Sequence, residues 1–471
     1  MMADAPAILV LAPMPAAPAS AGNRRRLVAT CETLMRGGFS VDLAYYAHED
    51  QIYRRFGQHP PTDLAAMADR VRNLFLIEAH AVIPLKTRAP CFGIDEWCPD
   101  EVGDFVAWYV AQFPDTRAVL ANYIFLSRAL ERVPSGVLRL IDTHDRFSGR
   151  QTQYRPFRAE PNFFYTDDAG EAAGLARADI VLAIQAGEAR AFAGLAAAEV
   201  LLLPPVFPAE RAFLPAERAF APPERVARIG FLGHGNDPNL FSIGRFAQAW
   251  GQGWTPDRPE LVIAGEICRS LEGIDGPGVR RLGYLDRLSD FYDQADLVVA
   301  PMLMGSGLKM KVGEALSYGR AVIGTEIGLE GFEPEHPAHR CRDVEAVKAA
   351  VLAVVADREA LTGLTRASEA LFVRYAAVAA AAEARLIARL QAQTPPAARV
   401  EGGPAAAPQA APAVARVTAS GGGLVLTAEH SARSLPAADP DLGVLVATER
   451  RPGDGTAASY RPERRRWFGR A

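Results

Sequence analysis

Gly305, Ser306 and Gly307 are followed by Lys309, Lys311 and Glu314, residue types suited to gripping a phosphate group. Residues 297–300 before the turn are apolar and read as a buried strand, while 310–317 carry Val312, Ala315 and Leu316 at helical spacing. A glycine turn leaves backbone N–H groups exposed at that helix start, where the helix dipole also favours an anion. Lys309 and Lys311 put positive charge into the first turn, where cations are disfavoured unless something negative binds there. Glu314 follows Lys311 by one turn and can face the same ligand. The plainer reading of this spacing is a surface helix in which Lys311 and Glu314 pair, worth about 0.2–0.5 kcal/mol. Gly319 ends the helix, and 321–325 reads as the next buried strand.

Holding such a site requires strands and helices in alternation, and the chain provides two series of them. Apolar runs at 8–11, 41–45, 74–77, 118–121, 138–141, 180–184 and 200–203 alternate with helical patterns, as in a parallel sheet covered on both faces. A second series follows at 228–232, 261–264, 279–282, 297–300 and 321–325. The proline-rich stretch 204–223 between them reads as a linker. The expected organisation is a doubly wound α/β domain over 1–204, a linker over 205–225, a second such domain with alanine-rich terminal helices over 226–393, and a tail over 394–471. That tail is Pro/Ala/Gly-rich at its start and is expected to be mostly disordered. Ligands of doubly wound sheets bind at the carboxyl ends of the strands, so two such domains imply a cleft between them.

Other residues with chemical potential lie at those strand ends. Gly22 precedes a helix starting near Asn23 and offers a second anion-binding helix start, or an ordinary strand-to-helix turn. Arg24, Arg25 and Arg26 follow, but successive helical residues point in different directions, so at least one is expected to be merely solvated. His144 stands between Asp142 and Asp145 after a buried strand, where a neighbouring carboxylate would raise its basicity. His144 could hydrogen-bond a substrate or polarise a hydroxyl, and Asp145 could act as a base. Three ligands within four residues of one loop are poor geometry for zinc, so no metal site is expected there. Gly233, His234 and Gly235 imitate a dinucleotide fingerprint, but Pro238 occupies the third glycine position.

Residues 301–331 resemble the donor-site motif of GT-B glycosyltransferases of the group 1 type (family four), through Lys311, Val312, Glu314, Ala315, Gly319 and Val322. Three further stretches resemble the same family in order: 8–22 with the Asn23–Arg26 run, 141–145, and 230–239. The resemblance spans most of residues 7–390. It implies two Rossmann-like domains facing a cleft, terminal helices crossing back to the first domain, and sugar transfer from a nucleoside-diphosphate sugar with retention and without a bound metal or cofactor. It also implies a ribose role for Glu314, phosphate roles for Gly307, Lys309 or Lys311, and donor contacts from Gly22, Gly233 and His234. Many relatives carry a second glutamate, eight positions before the first, that binds the transferred sugar; here that position is Ser306. The acceptor implied is a hydroxyl on a glycan or lipid-linked glycan, as in polysaccharide or glycolipid biosynthesis. A nucleotide-sugar epimerase, or a noncatalytic nucleotide-sugar-binding or assembly protein, are the alternatives on the same fold.

Composition is consistent with this picture and removes other classes. The chain has 471 residues, 49% hydrophobic and 23% charged, enough for two cores. A formal net charge of -4 argues against a general nucleic-acid binder. Five widely spaced cysteines with no Cys-x-x-Cys pair suggest a reducing, cytoplasmic compartment rather than a disulfide framework. No signal peptide or membrane-length apolar run is evident. Arg461, Arg464, Arg465, Arg466, Trp467 and Phe468 would suit peripheral contact with the inner membrane surface; a solvated tail is the other reading.

Overall fold

The computed structural model describes residues 5–55, 57, 59–78, 83–207, 220–271, 273–274 and 276–393, and the backbone of 413–420, 423–428 and 445–446. The first series of strands forms one parallel sheet. β1 (Ala7–Ala12), β2 (Ser40–Tyr46), β3 (Asn73–Glu78), β4 (Thr116–Asn122), β5 (Leu138–Asp142), β6 (Ile180–Ala183) and β7 (Glu199–Leu202) lie in the order β3-β2-β1-β4-β5-β6-β7. β1 is central, with Leu9 opposite Asp42 of β2 and Val119 of β4. It is buried throughout, which is why AILVLA is a continuous apolar run rather than an alternating one.

The second series forms a five-stranded parallel sheet. Its strands are β8 (Arg228–Leu232), β9 (Glu260–Ala264), β10 (Val279–Gly283), β11 (Leu297–Ala300) and β12 (Ala321–Gly324), in the order β10-β9-β8-β11-β12. Each sheet reverses its strand order once, between β1 and β4 and between β8 and β11. Loops leaving the carboxyl ends at such a reversal diverge and open a crevice. In the second sheet those loops are 233–236 and 301–309, the two segments marked above for chemistry. In the first sheet one of them is 13–21, which leads to Gly22.

The last helices tie the halves together. The Val344–Ala356 helix, capped by Asp343 accepting from Ala346 N at 2.8 Å, buries Val347, Val351 and Val354 in the second core. The 34-residue Arg358–Gln391 helix then starts in that core with Leu361 and Leu364 and ends in the first core with Leu386 and Leu390. Thr33 Oγ1 donates to Glu383 at 2.6 Å, and Arg389 meets Glu199 at 2.9 Å. A mixed cluster between the domains joins Ile184 and Phe207 to Val312, Leu316 and Tyr375.

Within the expected disordered tail the structure describes three short strands. β13 (Ala413–Ser420) runs parallel to β3, β14 (Gly423–Ala428) pairs antiparallel with β13, and β15 (Leu445–Val446) lies beyond β14. Apolar residues recur through AVARVTAS and GLVLTA, a β signal obscured by low-complexity flanks. The basic-aromatic terminus and 208–219 of the expected linker lie outside the described residues. Among the described residues no helix is long and apolar enough to cross a membrane, and no group of three His, Cys, Asp or Glu could hold a metal ion.

Candidate functional site

Two helix starts from different domains meet at the cleft. The Gly22–Arg36 helix and the Met310–Ser317 helix both lack a side-chain cap at their N-termini. A Cβ at Gly22 would lie 3.1 Å from Met310 Cγ, so the absent side chain is what allows this approach. Each start carries roughly half a positive charge, with Arg24 N already donating to Asn23 Oδ1 at 2.9 Å and Val312 N to Lys309 O at 2.9 Å.

Lys311 brings a titratable amine to this place. Its Nζ donates to Asn239 Oδ1 at 2.6 Å, lies 3.8 Å from Met302 Sδ and sits 4.0 Å from the centroid of the Phe231 ring. No carboxylate among the described residues forms an ion pair with it, and burial, with Lys309 nearby, pushes its pKa down to about 7. Asn239 is itself fixed: its side chain donates to His234 O at 2.9 Å and its N–H to Asn236 Oδ1 at 3.2 Å. The loop after β8 thus reaches Lys311 through Asn239, while His234 Nε2 pairs with Glu266 at 2.5 Å. Gly233 is needed for close packing, since a Cβ there would lie 2.8 Å from Phe231 Cε1.

Glu314 is buried and does not pair with Lys311 across the turn. It accepts from Arg25, and Tyr292 Oη approaches at 3.4 Å. The run of three arginines therefore resolves differently from the expectation that one is merely solvated. Arg24 is buried against Glu49, Arg26 is buried against Asp142 at 2.6 Å, and Arg25 crosses to the other domain. Helical periodicity sends the three to separate partners, all of them within the protein.

The turn at 305–307 is likewise held by the first domain. Gly305 N donates to Gln153 Oε1 at 2.9 Å, Gly307 N to Glu188 Oε1 at 3.1 Å, and Ser306 Oγ to Arg146 O at 3.3 Å. Lys309 Nζ folds back to the carbonyls of Gly305, Ser306 and Gly307 at 3.2, 3.1 and 2.7 Å, stabilising the turn from within. Gly307 has φ 73, and a Cβ there would collide with Asp145 Oδ1. Asp145 accepts from Arg150 at 2.7 Å, and burial raises its pKa despite that guanidinium.

His144 comes to the same edge with φ 58 and stacks on Tyr123 at a centroid distance of 4.3 Å. Its Nε2 lies 2.7 Å from Asn122 Oδ1, and its buried Nδ1 has no partner. The expectation of raised basicity is corrected: burial lowers its pKa to about 4, outweighing Asp142 at 3.9 Å. Asp142 is already committed to Arg26 and Thr30, which explains its weak hold on the ring.

Gly22, His144, Asp145, Gly233, His234, Ser306, Gly307, Lys309, Lys311 and Glu314 lie along this interdomain edge or support it. Glu188, Gln153, Arg146 and Arg150, and the cross-domain reach of Arg25, were not anticipated. For Glu188 a signal existed: it occupies the first turn of the Ala186–Leu195 helix, just beyond the carboxyl end of β6.

Residues 227–357 match the family model described as Glycosyl transferases group 1. Among curated proteins none matches this sequence. Among solved structures, sucrose-phosphate synthase from Thermosynechococcus elongatus is 18% identical, with 82% of this chain and 100% of that one covered and a TM-score of 0.56. Anabaena HepE in complex with UDP and glucose is 14% identical over 82% and 99% of the chains, with a TM-score of 0.51. A glycosyltransferase from Rickettsia africae is 10% identical over 82% and 99%, with a TM-score of 0.50. At these identities the structures share the fold, so the two-sheet architecture is that of the GT-B fold, and residues 227–357 of its second part are similar to the glycosyl transferases group 1 model.

Proposed function

We propose that the protein transfers a sugar from a nucleoside-diphosphate sugar to an acceptor hydroxyl on a glycan or lipid-linked glycan. The observation that carries this reading is Lys311, a partly buried cation without an ion-pair partner among the described residues, set in the first turn of an uncapped helix that faces another uncapped helix start. A diphosphate would neutralise all three centres of positive charge. Glu314, one turn further, is then the group for the ribose, exchanging Arg25 for sugar hydroxyls.

In the reaction the anomeric C–O bond to the diphosphate breaks with its electron pair leaving on the diphosphate, a bond to the acceptor oxygen forms, and the acceptor hydroxyl's proton passes to the departing diphosphate oxygen. Charge develops on the departing diphosphate, where Lys311 and the helix starts stabilise it. His144, neutral at pH 7, serves as a hydrogen-bonding group rather than a cation. Asp145 is the carboxylate beside the Gly305–Gly307 turn. We assign retention at the anomeric carbon, with the nucleotide sugar as co-substrate and no further cofactor.

The test is incubation of the full chain with radiolabelled nucleotide sugars and a panel of glycan acceptors, with NMR of the product's anomeric configuration. Transfer that falls at least tenfold in Lys311→Ala and Glu314→Ala supports the reading. Binding without transfer or hydrolysis across the panel would leave a noncatalytic binding protein, and nucleotide affinity unchanged in both variants would remove the donor site.

A further inference from the structure

Glu188 is buried on the first domain, and its carboxylate stands where the domains close. Its Oε1 accepts from Gly307 N at 3.1 Å and from Arg146 N at 3.2 Å, one amide from each domain. Its Oε2 is buried and has no hydrogen-bond partner. Buried polar atoms are ordinarily partnered, and an unpaired carboxylate oxygen carries its full desolvation penalty. Asp145, Glu330 and Lys309 surround the group. Lys309 and Arg150 are already engaged, by the turn carbonyls and by Asp145, so the unfilled valence here is a carboxyl oxygen, which suits a ligand hydroxyl rather than a phosphate.

The position along the donor follows from the helix start. With the diphosphate at Lys311 and the ribose at Glu314, the donor's remaining part extends toward the Gly305–Gly307 turn. The turn itself offers only Ser306, whose hydroxyl is engaged with Arg146 O. We propose that Glu188, from the opposite domain, is the carboxyl group that reads the transferred sugar in this protein, through a hydrogen bond between a sugar hydroxyl and Oε2. The inference rests on the donor reading above.

Because Glu188 contacts the second domain, it would read the sugar only when the domains are closed, so hydroxyl recognition and closure become one event. The competing role is a strut that merely holds the domains together.

Calorimetry on the full chain separates these roles. The wild type, Glu188→Gln and Glu188→Ala are titrated with UDP, GDP, ADP and TDP, and with the nucleotide sugars of whichever diphosphate binds, including pairs that differ in one hydroxyl configuration. Glu188→Ala is expected to weaken the preferred nucleotide sugar about tenfold or more and to erase discrimination within a pair, while the parent diphosphate stays within about twofold. Glu188→Gln keeps an acceptor for the two amides and is expected to lose less. Equal losses for diphosphate and nucleotide sugar would establish the strut and overturn the proposal, as would unchanged discrimination in a Glu188→Ala protein that melts like the wild type. If Lys311→Ala abolishes diphosphate binding while Glu188→Ala changes nothing, only this inference fails. If the wild type binds no diphosphate, the donor reading falls and takes this inference with it.

Discussion

With a pKa of about 7 in the unliganded protein, Lys311 is mostly neutral at pH 8, about one-tenth protonated. A diphosphate bound beside it favours the ammonium and raises that pKa, so binding at pH 8 should take up about 0.9 proton. The protonated fraction falls from about one-half at pH 7 to about one-hundredth at pH 9, so affinity should fall about 50-fold over that interval. Calorimetry of a nucleotide sugar in two buffers of different ionisation enthalpy reads the proton count directly, because the ligand's own diphosphate does not titrate there. Glu188, pushed up to about 8 by burial and by Asp145, titrates in the same window. Lys311→Arg isolates the lysine, since a guanidinium stays charged throughout and should flatten its share of the pH dependence. Stability moves the opposite way. The unfolded lysine, near 10.5, binds more protons than the folded one between about pH 7 and 10.5, so the unliganded protein gains stability as pH rises through that window. Proton uptake near zero at pH 8, or a pH profile unaltered by Lys311→Arg, would refute the assignment of Lys311 to the diphosphate.

Gly307→Ala should cost about 1–2 kcal/mol for a left-handed residue and displace Asp145, and a nucleotide-sugar transfer assay should show at least a tenfold loss. Leu386→Ala removes a side chain from the first core and should cost about 2–5 kcal/mol, read by urea denaturation. His48, His144 and His339 are buried with pKa values lowered by desolvation to about 3, 4 and 4. Their unfolded forms bind more protons below about pH 6.5, so stability should decline as pH falls from 6.5 toward 4, by up to about 1.4 kcal/mol per pH unit for each. A melting temperature that stays level across that range would contradict their burial as neutral rings.

The strands could be read from sequence where burial on both faces left an uninterrupted mark, as in AILVLA of β1 and LVVA of β11. The Met310–Ser317 helix was legible from its spacing, and the reversal of strand order then placed its start at the crevice. Pairings across the cleft left no such mark. Arg25 and Glu314 are 289 positions apart, and Glu188 and Gly307 are 119 apart, so no local period links them. The sign of the His144 shift was hidden for a related reason. Asp142 lies two residues away in sequence, yet its charge is spent on Arg26, 116 positions distant, and desolvation prevails. Glu188 resembled an acidic residue favoured by a helix dipole, and only the proximity of Gly307 N distinguishes it.

The return of the Arg358–Gln391 helix to the first core sets an order on the protein's making. Strands β1 to β7 of the first sheet are complete by Leu202, but Leu386 and Leu390, which finish its core, are synthesised last among the described helices. At about 5–20 residues per second, the nascent first domain waits roughly 10–40 s for them. During that wait its unfilled apolar site must be tolerated or shielded, and the second domain can fold beside it from its own local strands. A chain shortened before residue 386 should therefore accumulate as a partly folded, aggregation-prone species.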